Sequence, residues 1–266
     1  MKFVCPKCRE ALTVGDGLSA VCKNKHCYDK ARAGYYNLLL TNVGGTHGDN
    51  REMLEARRDF LDTGAYKPLA DAVAEVSFRY ASKGTVLDIG CGEGYYTDAV
   101  ERITGAEVCA FDISREAVKL AHKRNPRLSL AVASAYAMPV EDSSFDLAIN
   151  MFSPLAPEEV HRALKPSGIF VMAIPGEEHL YGLKAATYKT PYKNEVKSRE
   201  LSGFELISET RVRYPMHLDS PEKIKALFMM TPYAYRTGRE ERERVLSLRE
   251  LDLEADFYIL VYKKRD

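Results

Sequence analysis

From residue 84 onward, short apolar runs alternate with segments whose apolar positions recur every three or four residues. Runs of the first kind are typical of strands buried on both faces, and segments of the second kind are typical of helices packed on a sheet. Five strands are predicted, and they cover residues 86–89, 107–112, 128–133, 145–150 and 169–174. The alternation predicts a doubly wound α/β domain with a mostly parallel sheet.

Two later strands and two earlier helices complete the predicted elements. Residues 204–213 and 256–263 predict strands that form an antiparallel edge, which brings the sheet to seven strands. Upstream, apolar residues at helical spacing predict one helix that begins near Arg51 and another over residues 67–80.

The chain divides into three predicted parts, which are a small module over residues 1–36, a linker with helices over 37–83, and the α/β domain over 84–266. With 45% apolar and 29% charged residues, the composition is that of a globular protein. No apolar run approaches the roughly 20 residues that span a bilayer, and the N-terminus lacks the apolar core of a signal peptide. We therefore expect a cytoplasmic protein with reduced thiols and no membrane partner.

Four residues of the first module have the spacing of a metal site. Cys5-x-x-Cys8 is followed, after thirteen residues, by Cys22-x-x-x-His26. Two thiolates on a tight turn can bind one edge of a metal ion, and the second pair completes a tetrahedron. Cys27 is an alternative fourth ligand in place of His26. Because so short a segment cannot build a core of its own, we expect a structural Zn²⁺ to stabilise its fold.

Charge is unevenly distributed between the module and the rest of the chain. The whole chain is neutral, with 38 basic and 38 acidic residues. Residues 1–35 contain seven Lys or Arg and three Asp or Glu, a net charge of +4, so the remainder carries −4. A basic module on a mildly acidic body points to a polyanionic partner, although an ordinary solvated surface explains the same pattern.

The stretch over residues 86–97 joins the first strand of the α/β domain to a helix through a glycine-rich turn. Gly90, Gly92 and Gly94 permit positive φ and let backbone N–H groups approach a ligand. Their spacing differs from the Gly-x-Gly-x-x-Gly fingerprint of dinucleotide-binding proteins. Asp88, directly before the turn, suits a ligand that carries a positive amino group rather than a pyrophosphate.

Three more positions lie at the ends of predicted strands. Asp112 ends the second strand, where an acid can accept hydrogen bonds from both hydroxyls of a ribose. Ser134 and Ala135 follow the third strand, where the edge of an adenine would meet backbone donors and a small side chain. Together with Asp88 and the glycine-rich turn, they describe a cavity for an adenosine with a cationic amino-acid tail. That ligand is S-adenosylmethionine.

The glycine-rich turn resembles the first motif of class I methyltransferases, and Asp112 resembles their second. This resemblance implies a Rossmann-like class I methyltransferase domain behind a zinc ribbon-like domain. Over essentially its full length, the chain is similar to the RlmA-type 23S rRNA (guanine-N1)-methyltransferases. The segments that carry this similarity are the Cys5/Cys8/Cys22/His26 module and residues 34–38, 52–61, 88–97 and 230–236.

The similarity to this family implies methyl transfer from S-adenosylmethionine to N1 of a specific guanine in a hairpin of 23S rRNA. It also implies a homodimer, and a zinc module that helps to bind RNA. The cofactor contacts that it implies are Tyr66, Gly92, Glu93 and His179. Guanine N1 carries a proton that a base must accept. The residues do not identify this base, and Asp146, Glu158 and Glu159 are alternatives.

Two other functions are alternatives to rRNA methylation. A small-molecule class I methyltransferase would carry the same cofactor motifs, but the basic zinc module argues against it. A non-catalytic RNA-binding protein of ribosome assembly would not need the complete set of cofactor motifs. A basic segment between residues 184 and 199, in which lysines and tyrosines are interleaved, favours an RNA substrate because it suits phosphate contacts and base stacking.

Overall fold

The computed structural model describes residues 2–15, 18–40, 50–196 and 198–265. The strands are β1 (Thr13–Val14), β2 (Ser19–Val21), β3 (Cys27–Asp29), β4 (Tyr35–Asn37), β5 (Thr85–Ile89), β6 (Glu107–Asp112), β7 (Ser129–Val132), β8 (Phe145–Met151), β9 (Leu164–Pro175), β10 (Phe204–Leu218) and β11 (Leu251–Lys264). The helices are α1 (Arg51–Asp62), α2 (Lys67–Ala81), α3 (Tyr95–Thr104), α4 (Arg115–Arg124), α5 (Pro157–Ala163), α6 (Tyr181–Thr187), α7 (Pro221–Met229), α8 (Tyr233–Arg236) and α9 (Arg239–Leu246). Among these helices, none has the length and apolar character that crossing a membrane requires.

The central sheet has eight strands in the order β10-β11-β9-β8-β5-β6-β7-β4. From β9 to β4 all neighbouring strands are parallel, whereas β11 pairs antiparallel with β9 and with β10. The predicted α/β fold is therefore confirmed. β5 lies between β6 and β8, so the strand order reverses there, and ligands bind beyond the carboxyl ends of the strands at such a reversal.

The prediction of seven strands was wrong by one, and the additional strand is β4. Its residues Tyr35 and Asn37 pair with Leu130 and Val132 of β7. Three residues are too few to show a periodic pattern, so the strand cannot be recognised without its partner. Because β4 follows the cysteine-containing module directly, backbone hydrogen bonds join that module to the edge of the central sheet.

Successive residues of β5 face opposite sides of the sheet, and each side has its own core. Val86 packs in the core that also contains Leu69 of α2. Leu87 and Ile89 pack in the other core, which also contains the fully buried Phe3 of the module. A side chain at position 88 therefore shares the face of Val86, and it lies at the carboxyl end of the strand.

Two arginines bind the loop between β7 and β8, Arg9 from the module and Arg162 from α5. Arg9 donates to the carbonyl oxygens of Met138 and Val140 at 2.7 and 2.9 Å. Arg162 donates to the same two carbonyls at 2.9 Å, and both guanidinium groups also contact Asp142. The planar guanidinium presents several donors in fixed directions, so two arginines can satisfy these acceptors together.

Candidate active site and metal centre

The glycine-rich turn connects the end of β5 to the start of α3. Gly90, Gly92 and Gly94 have φ values of +76°, +55° and +85°, left-handed conformations that favour glycine. Gly90 also has no room for a side chain, because a Cβ atom there would lie 2.4 Å from the Cβ of Ser153 in the loop after β8. Glycine therefore permits both the conformation of the turn and the close approach of this loop.

A cavity of about 570 Å³ lies beside the turn, at the carboxyl ends of the central parallel strands. This volume lies within the range of cofactor sites. Its lining includes the predicted positions Tyr66, Asp88, Gly90, Gly92, Glu93, Asp112, Ser134, Ala135 and His179. Gly94 is not among the described lining residues; it caps the start of α3 and packs closely against Ala121 of α4.

Asp88 is 1% exposed and lines the cavity. Its Oδ2 accepts a hydrogen bond from Thr97 Oγ1 at 2.5 Å, whereas Oδ1 has no partner among the described residues. Burial raises the pKa of this carboxyl to about 7, although the Thr97 hydrogen bond acts in the opposite direction. Because an unpartnered buried carboxylate oxygen is costly, a positively charged donor is its chemical complement. The amino group of S-adenosylmethionine fits this requirement.

Asp112 connects the glycine-rich turn to the start of α4. Its Oδ2 accepts from the Gly92 N–H at 3.0 Å, and its Oδ1 accepts from the Ser114 N–H at 2.8 Å. Each carboxylate oxygen has a second lone pair, so Asp112 can still accept hydrogen bonds from hydroxyls. Ser134 and Ala135 follow β7, line the same cavity and are half-buried.

Glu93 connects the turn to α1 through an arginine. The side chain is 2% exposed, and its Oε2 accepts from Arg124 Nε at 2.8 Å. Arg124 also binds Asp62 at the end of α1, at 2.7 Å. Burial raises the pKa of Glu93, against the opposing effect of Arg124. Its Oε1 has no hydrogen-bond partner within the described part of the chain, so one acceptor of this buried carboxylate is left for a ligand.

Tyr66 and His179 contact each other at the cavity, with 3.4 Å between Tyr66 Oη and His179 Nε2. The Asp256 N–H donates to His179 Nδ1 at 3.4 Å, which assigns the proton of the neutral ring to Nε2. Burial lowers the pKa of His179 to about 3, so the ring is neutral near pH 7. Because Nε2–H donates to the tyrosine oxygen, the hydroxyl proton of Tyr66 is free to point into the cavity.

None of the three acids considered as bases lines the described cavity. Asp146 pairs with Lys165 at 2.7 Å, and Glu159 pairs with Arg162 at 2.9 Å. Glu158 is exposed on α5. Their positions in the sequence placed them within reach of the site, but none of the three side chains lies there. They are therefore excluded as direct contacts of a base bound in this cavity.

The basic segment near α6 is only partly exposed, and the prediction that it forms a phosphate-binding surface was wrong for Lys184. That lysine is 1% exposed, and its Nζ donates to Asn194 at 2.6 Å. Lys193 is exposed, but it pairs with Glu178 at 2.5 Å. Lys197 lies outside the described residues. Spacing along the chain did not reveal these pairings, because they depend on how the segment packs.

Three aromatic residues of the cavity were not predicted from the sequence. Tyr96 of α3, Phe152 after β8 and Phe257 of β11 all line it. The Phe152 ring centroid lies 6.2 Å from that of Tyr96 and 5.6 Å from that of Phe257. These residues come from distant parts of the chain, and aromatic side chains are common in cores. No local signal distinguishes them from core residues.

The four predicted metal ligands lie together, with their ligand atoms all within 4.8 Å of one another. The sulfurs of Cys8 and Cys22 are 3.7 Å apart, and His26 Nδ1 lies 3.4 to 3.5 Å from the sulfurs of Cys5, Cys8 and Cys22. Zn–S bonds of about 2.3 Å and a Zn–N bond of about 2.0 Å, arranged tetrahedrally, separate ligand atoms by roughly 3.5–3.8 Å. The cluster fits Zn²⁺, whereas Cys27 is exposed and lies outside it.

A nucleoside-sized cavity at the strand reversal and a separate four-ligand metal cluster define a zinc-containing class I methyltransferase. Family models agree with both parts of this assignment. A methyltransferase domain matches residues 86–168, and the N-terminal zinc ribbon of RlmA matches residues 3–42. The first implies S-adenosylmethionine as the methyl donor, and the second implies a structural zinc ion. Both cofactors were predicted from the sequence.

The chain is 31% identical to the 23S rRNA (guanine(748)-N(1))-methyltransferase of Streptomyces fradiae, over 96% of this chain and 95% of that protein. It is 30% identical to YxjB of Bacillus subtilis, over 98% of this chain and 97% of that protein. The chain belongs to the RlmA-type 23S rRNA (guanine-N1)-methyltransferase family, which confirms the predicted resemblance. A solved structure from Bacillus halodurans has a TM-score of 0.52 and 16% identity, and it covers 74% of this chain and 99% of that chain. The similarity to this structure concerns the fold alone.

Replacing Cys5 with serine is expected to reduce bound zinc from about one equivalent per chain to a small fraction of that, because three remaining ligands leave the tetrahedron open. Elemental analysis after dialysis against a chelator measures the change. Cys27→Ser is the matched control and is expected to retain the metal. Full zinc in the Cys5 variant, or its loss from the Cys27 variant, would contradict this ligand set.

Proposed function

We propose that this protein transfers the methyl group of S-adenosylmethionine to N1 of a guanine in 23S rRNA. The observation that carries the proposal is the cavity at the end of β5, where a buried carboxylate oxygen of Asp88 has no hydrogen-bond partner among the residues that the structure describes. A cationic amino-acid tail would be that partner. The choice of a guanine as the methyl acceptor rests on membership of the family. The zinc module, joined to the same sheet by β4, supplies a basic surface beside the domain.

We propose roles for five of the predicted cofactor positions on the basis of their contacts. We propose that Asp88 Oδ1 accepts from the amino group of the cofactor and that Asp112 accepts from the ribose hydroxyls. Tyr66 donates its hydroxyl hydrogen to the cofactor, and His179 orients that hydroxyl. Gly94 acts indirectly, through the helix that it caps. The residues proposed to form the cofactor site are Tyr66, Asp88, Gly90, Gly92, Glu93, Gly94, Asp112, Ser134, Ala135 and His179.

The chemistry depends mainly on positioning. S-adenosylmethionine, when bound, would supply a methyl group on a sulfonium centre. The C–S bond breaks as the bond to guanine N1 forms, S-adenosylhomocysteine leaves, and the N1 proton passes to water. Asp88, Glu93 and Asp112 are the only acids among the described lining residues, and all three are assigned to the cofactor. The chain therefore contributes by holding the nucleophile and the methyl donor in line, an effect on the order of several kcal/mol in the barrier.

We propose that the zinc module binds the phosphates of the RNA. Its Lys7, Lys25, Lys30 and Arg32 are exposed, and they form no ion pair with another described residue. Cations that form no ion pair within the described part of the chain are available to replace the counterions of a phosphate backbone. By contrast, Lys23 of the same module is paired with Glu10 at 2.7 Å.

Several finer assignments belong to the same proposal. We propose a hairpin as the part of 23S rRNA that is bound, a homodimer as the active form and the cytoplasm as its location. We also retain the division into residues 1–36, 37–83 and 84–266, although β4 (Tyr35–Asn37) extends across the first boundary. Light scattering of the purified protein measures the oligomeric state directly.

The function is tested by incubating the purified protein with labelled S-adenosylmethionine and unmodified 23S rRNA, and then mapping the modified nucleotide. Methylation at N1 of one guanine is the expected result. The matched control substrate is the same rRNA already methylated at that position. Cofactor binding without transfer to RNA would contradict the proposal and favour a non-catalytic role, whereas transfer only to small molecules would favour the alternative enzyme class.

Cofactor affinity is expected to fall as the pH drops below about 7, because protonated Asp88 must lose its proton before it can pair with the amino group. Above that pH the affinity is expected to level off, and to fall again where the amino group of the ligand loses its own proton. Asp88→Asn should weaken binding about 10- to 100-fold, the effect of losing a charged hydrogen bond, and should abolish this pH dependence. Calorimetric titration with S-adenosylhomocysteine, which carries the same amino group, measures both effects.

The Asp88→Asn variant also distinguishes a role of this carboxyl in cofactor binding from a role in the stability of the fold. Burial raises the pKa of Asp88 in the folded protein above its unfolded value, so the cofactor-free protein loses stability as the pH rises from about 4 towards about 7. Asp88→Asn removes that loss, and a higher Tm than that of the unchanged protein is expected near pH 8. A lower Tm at that pH would show that the carboxylate serves the fold.

Changing Lys25 and Lys30 together to glutamine is expected to weaken RNA binding and to reduce the slope of log affinity against log salt by about 1.5, since each phosphate contact contributes about 0.7–0.9. The control changes Lys119 and Lys223, which are ion-paired on α4 and α7. Fluorescence titration of a labelled hairpin at several salt concentrations gives both slopes. Equal slopes for the two double variants would show that Lys25 and Lys30 do not contact the phosphates of the RNA.

A further inference from the structure

Phe152, directly after β8, has a backbone conformation that is unusual for its residue type. Its φ of +63° lies in the left-handed region, where a bulky aromatic residue is a genuine outlier. Such conformations are costly and persist only where the surroundings impose them, most often at ligand-binding sites. The conformation of this residue therefore needs an explanation in terms of its contacts or its function.

The surrounding loop is held by side-chain hydrogen bonds. Asn150 Nδ2 donates to Ser153 Oγ at 2.7 Å and to the Pro154 carbonyl at 3.3 Å. Ser153 Oγ in turn donates to the Ile89 carbonyl at 2.6 Å, and the close approach of Ser153 requires the missing side chain of Gly90. The loop is thus fixed against the glycine-rich turn. The position of Phe152 is consequently coupled to the proposed cofactor site.

The Phe152 side chain is not a core residue. It is 47% exposed although it lines the cavity, and it contacts Tyr96 and Phe257 at its edges. Aromatic residues usually stabilise a fold by burying apolar surface, but about half of the Phe152 surface is not buried. A costly backbone conformation combined with an exposed ring in a cavity points to a ligand that covers the ring.

We propose that Phe152 is the surface on which the target guanine stacks when it leaves the RNA hairpin. This inference rests on the function proposed above and identifies how the chain holds the acceptor base. An enzyme that modifies an atom of a base needs that base turned out of its stack, and aromatic side chains are the common surface for such bases. The cavity receives the base at the end of β8, beside the proposed cofactor site.

Stacking also explains how a residue without polar atoms assists the reaction. Once N1 has lost its proton, the electron pair that attacks the methyl group lies in the plane of the base. Fixing that plane against the ring of Phe152 sets the direction from which N1 approaches the methyl carbon. Phe152 is thus a residue that positions the base through its plane, and it does not discriminate guanine by hydrogen bonding.

The test compares Phe152→Leu, which removes the aromatic face, with Phe152→Tyr, which keeps it. Single-turnover transfer to saturating hairpin RNA is expected to slow about 10- to 100-fold in the leucine variant, the effect of losing one stacking contact, and to stay within about threefold in the tyrosine variant. Cofactor affinity and hairpin affinity are expected to change less than about threefold in both, because phosphate contacts dominate RNA binding. Phe78→Leu is the matched control, since Phe78 is 48% exposed on α2 and is not among the described lining residues.

A third substitution at Phe152 distinguishes a role in base stacking from a role in the stability of the fold. Asparagine adopts the left-handed conformation readily, so Phe152→Asn is expected to keep or raise the Tm while slowing transfer as much as leucine does. Full transfer by the leucine or asparagine variant, with the unchanged protein active, would overturn the stacking role. Equal slowing of the tyrosine and leucine variants would also overturn it. Absence of transfer by the unchanged protein would instead contradict the proposed function itself.

Discussion

β5 pairs with β6 on one side and with β8 on the other, and the whole site depends on this pairing. The strand order reverses at β5, so the loops that follow the strands diverge and leave a cavity between them. The turn after β5 contains Gly90, and the loop after β8 contacts it more closely than any side chain would allow. The same register brings Asp88 and Asp112 to one edge of the sheet. Parallel pairing in a fixed register thus sets the spacing of the site.

Two features of the cavity oppose folding. Asp88 is a buried carboxyl with one oxygen that has no partner in the described part of the chain, and Phe152 is an exposed aromatic residue with positive φ. Each is held by its neighbours: the carboxyl by the Thr97 hydroxyl, and the aromatic residue by the hydrogen-bonded loop around Ser153. Local rules of folding are broken chiefly where function requires it. The proposed binding of a cationic tail at Asp88 and of a flat base at Phe152 would account for both features.

The zinc module illustrates a different constraint, the small size of its own core. Cys5, Cys8, Cys22 and His26 bring short strands together where burial alone could not. β4 then continues into the central sheet, and Phe3 is fully buried in a core of that sheet. The basic surface of the module is therefore held at the edge of the domain. A connection of this kind fixes the proposed RNA-binding surface relative to the cavity.

The amino-acid sequence by itself determined the alternation of strands and helices, the spacing of the four metal ligands, and the acids beside the glycine-rich turn. These features are local, because periodicity and short spacings act within one element or one turn. The tertiary structure decided the rest: the pairing of β4, the choice of His26 over Cys27 in the cluster, the burial of Lys184, and the aromatic side of the cavity with Phe152. Each of these depends on contacts between residues far apart in the chain, and no local pattern encodes such contacts.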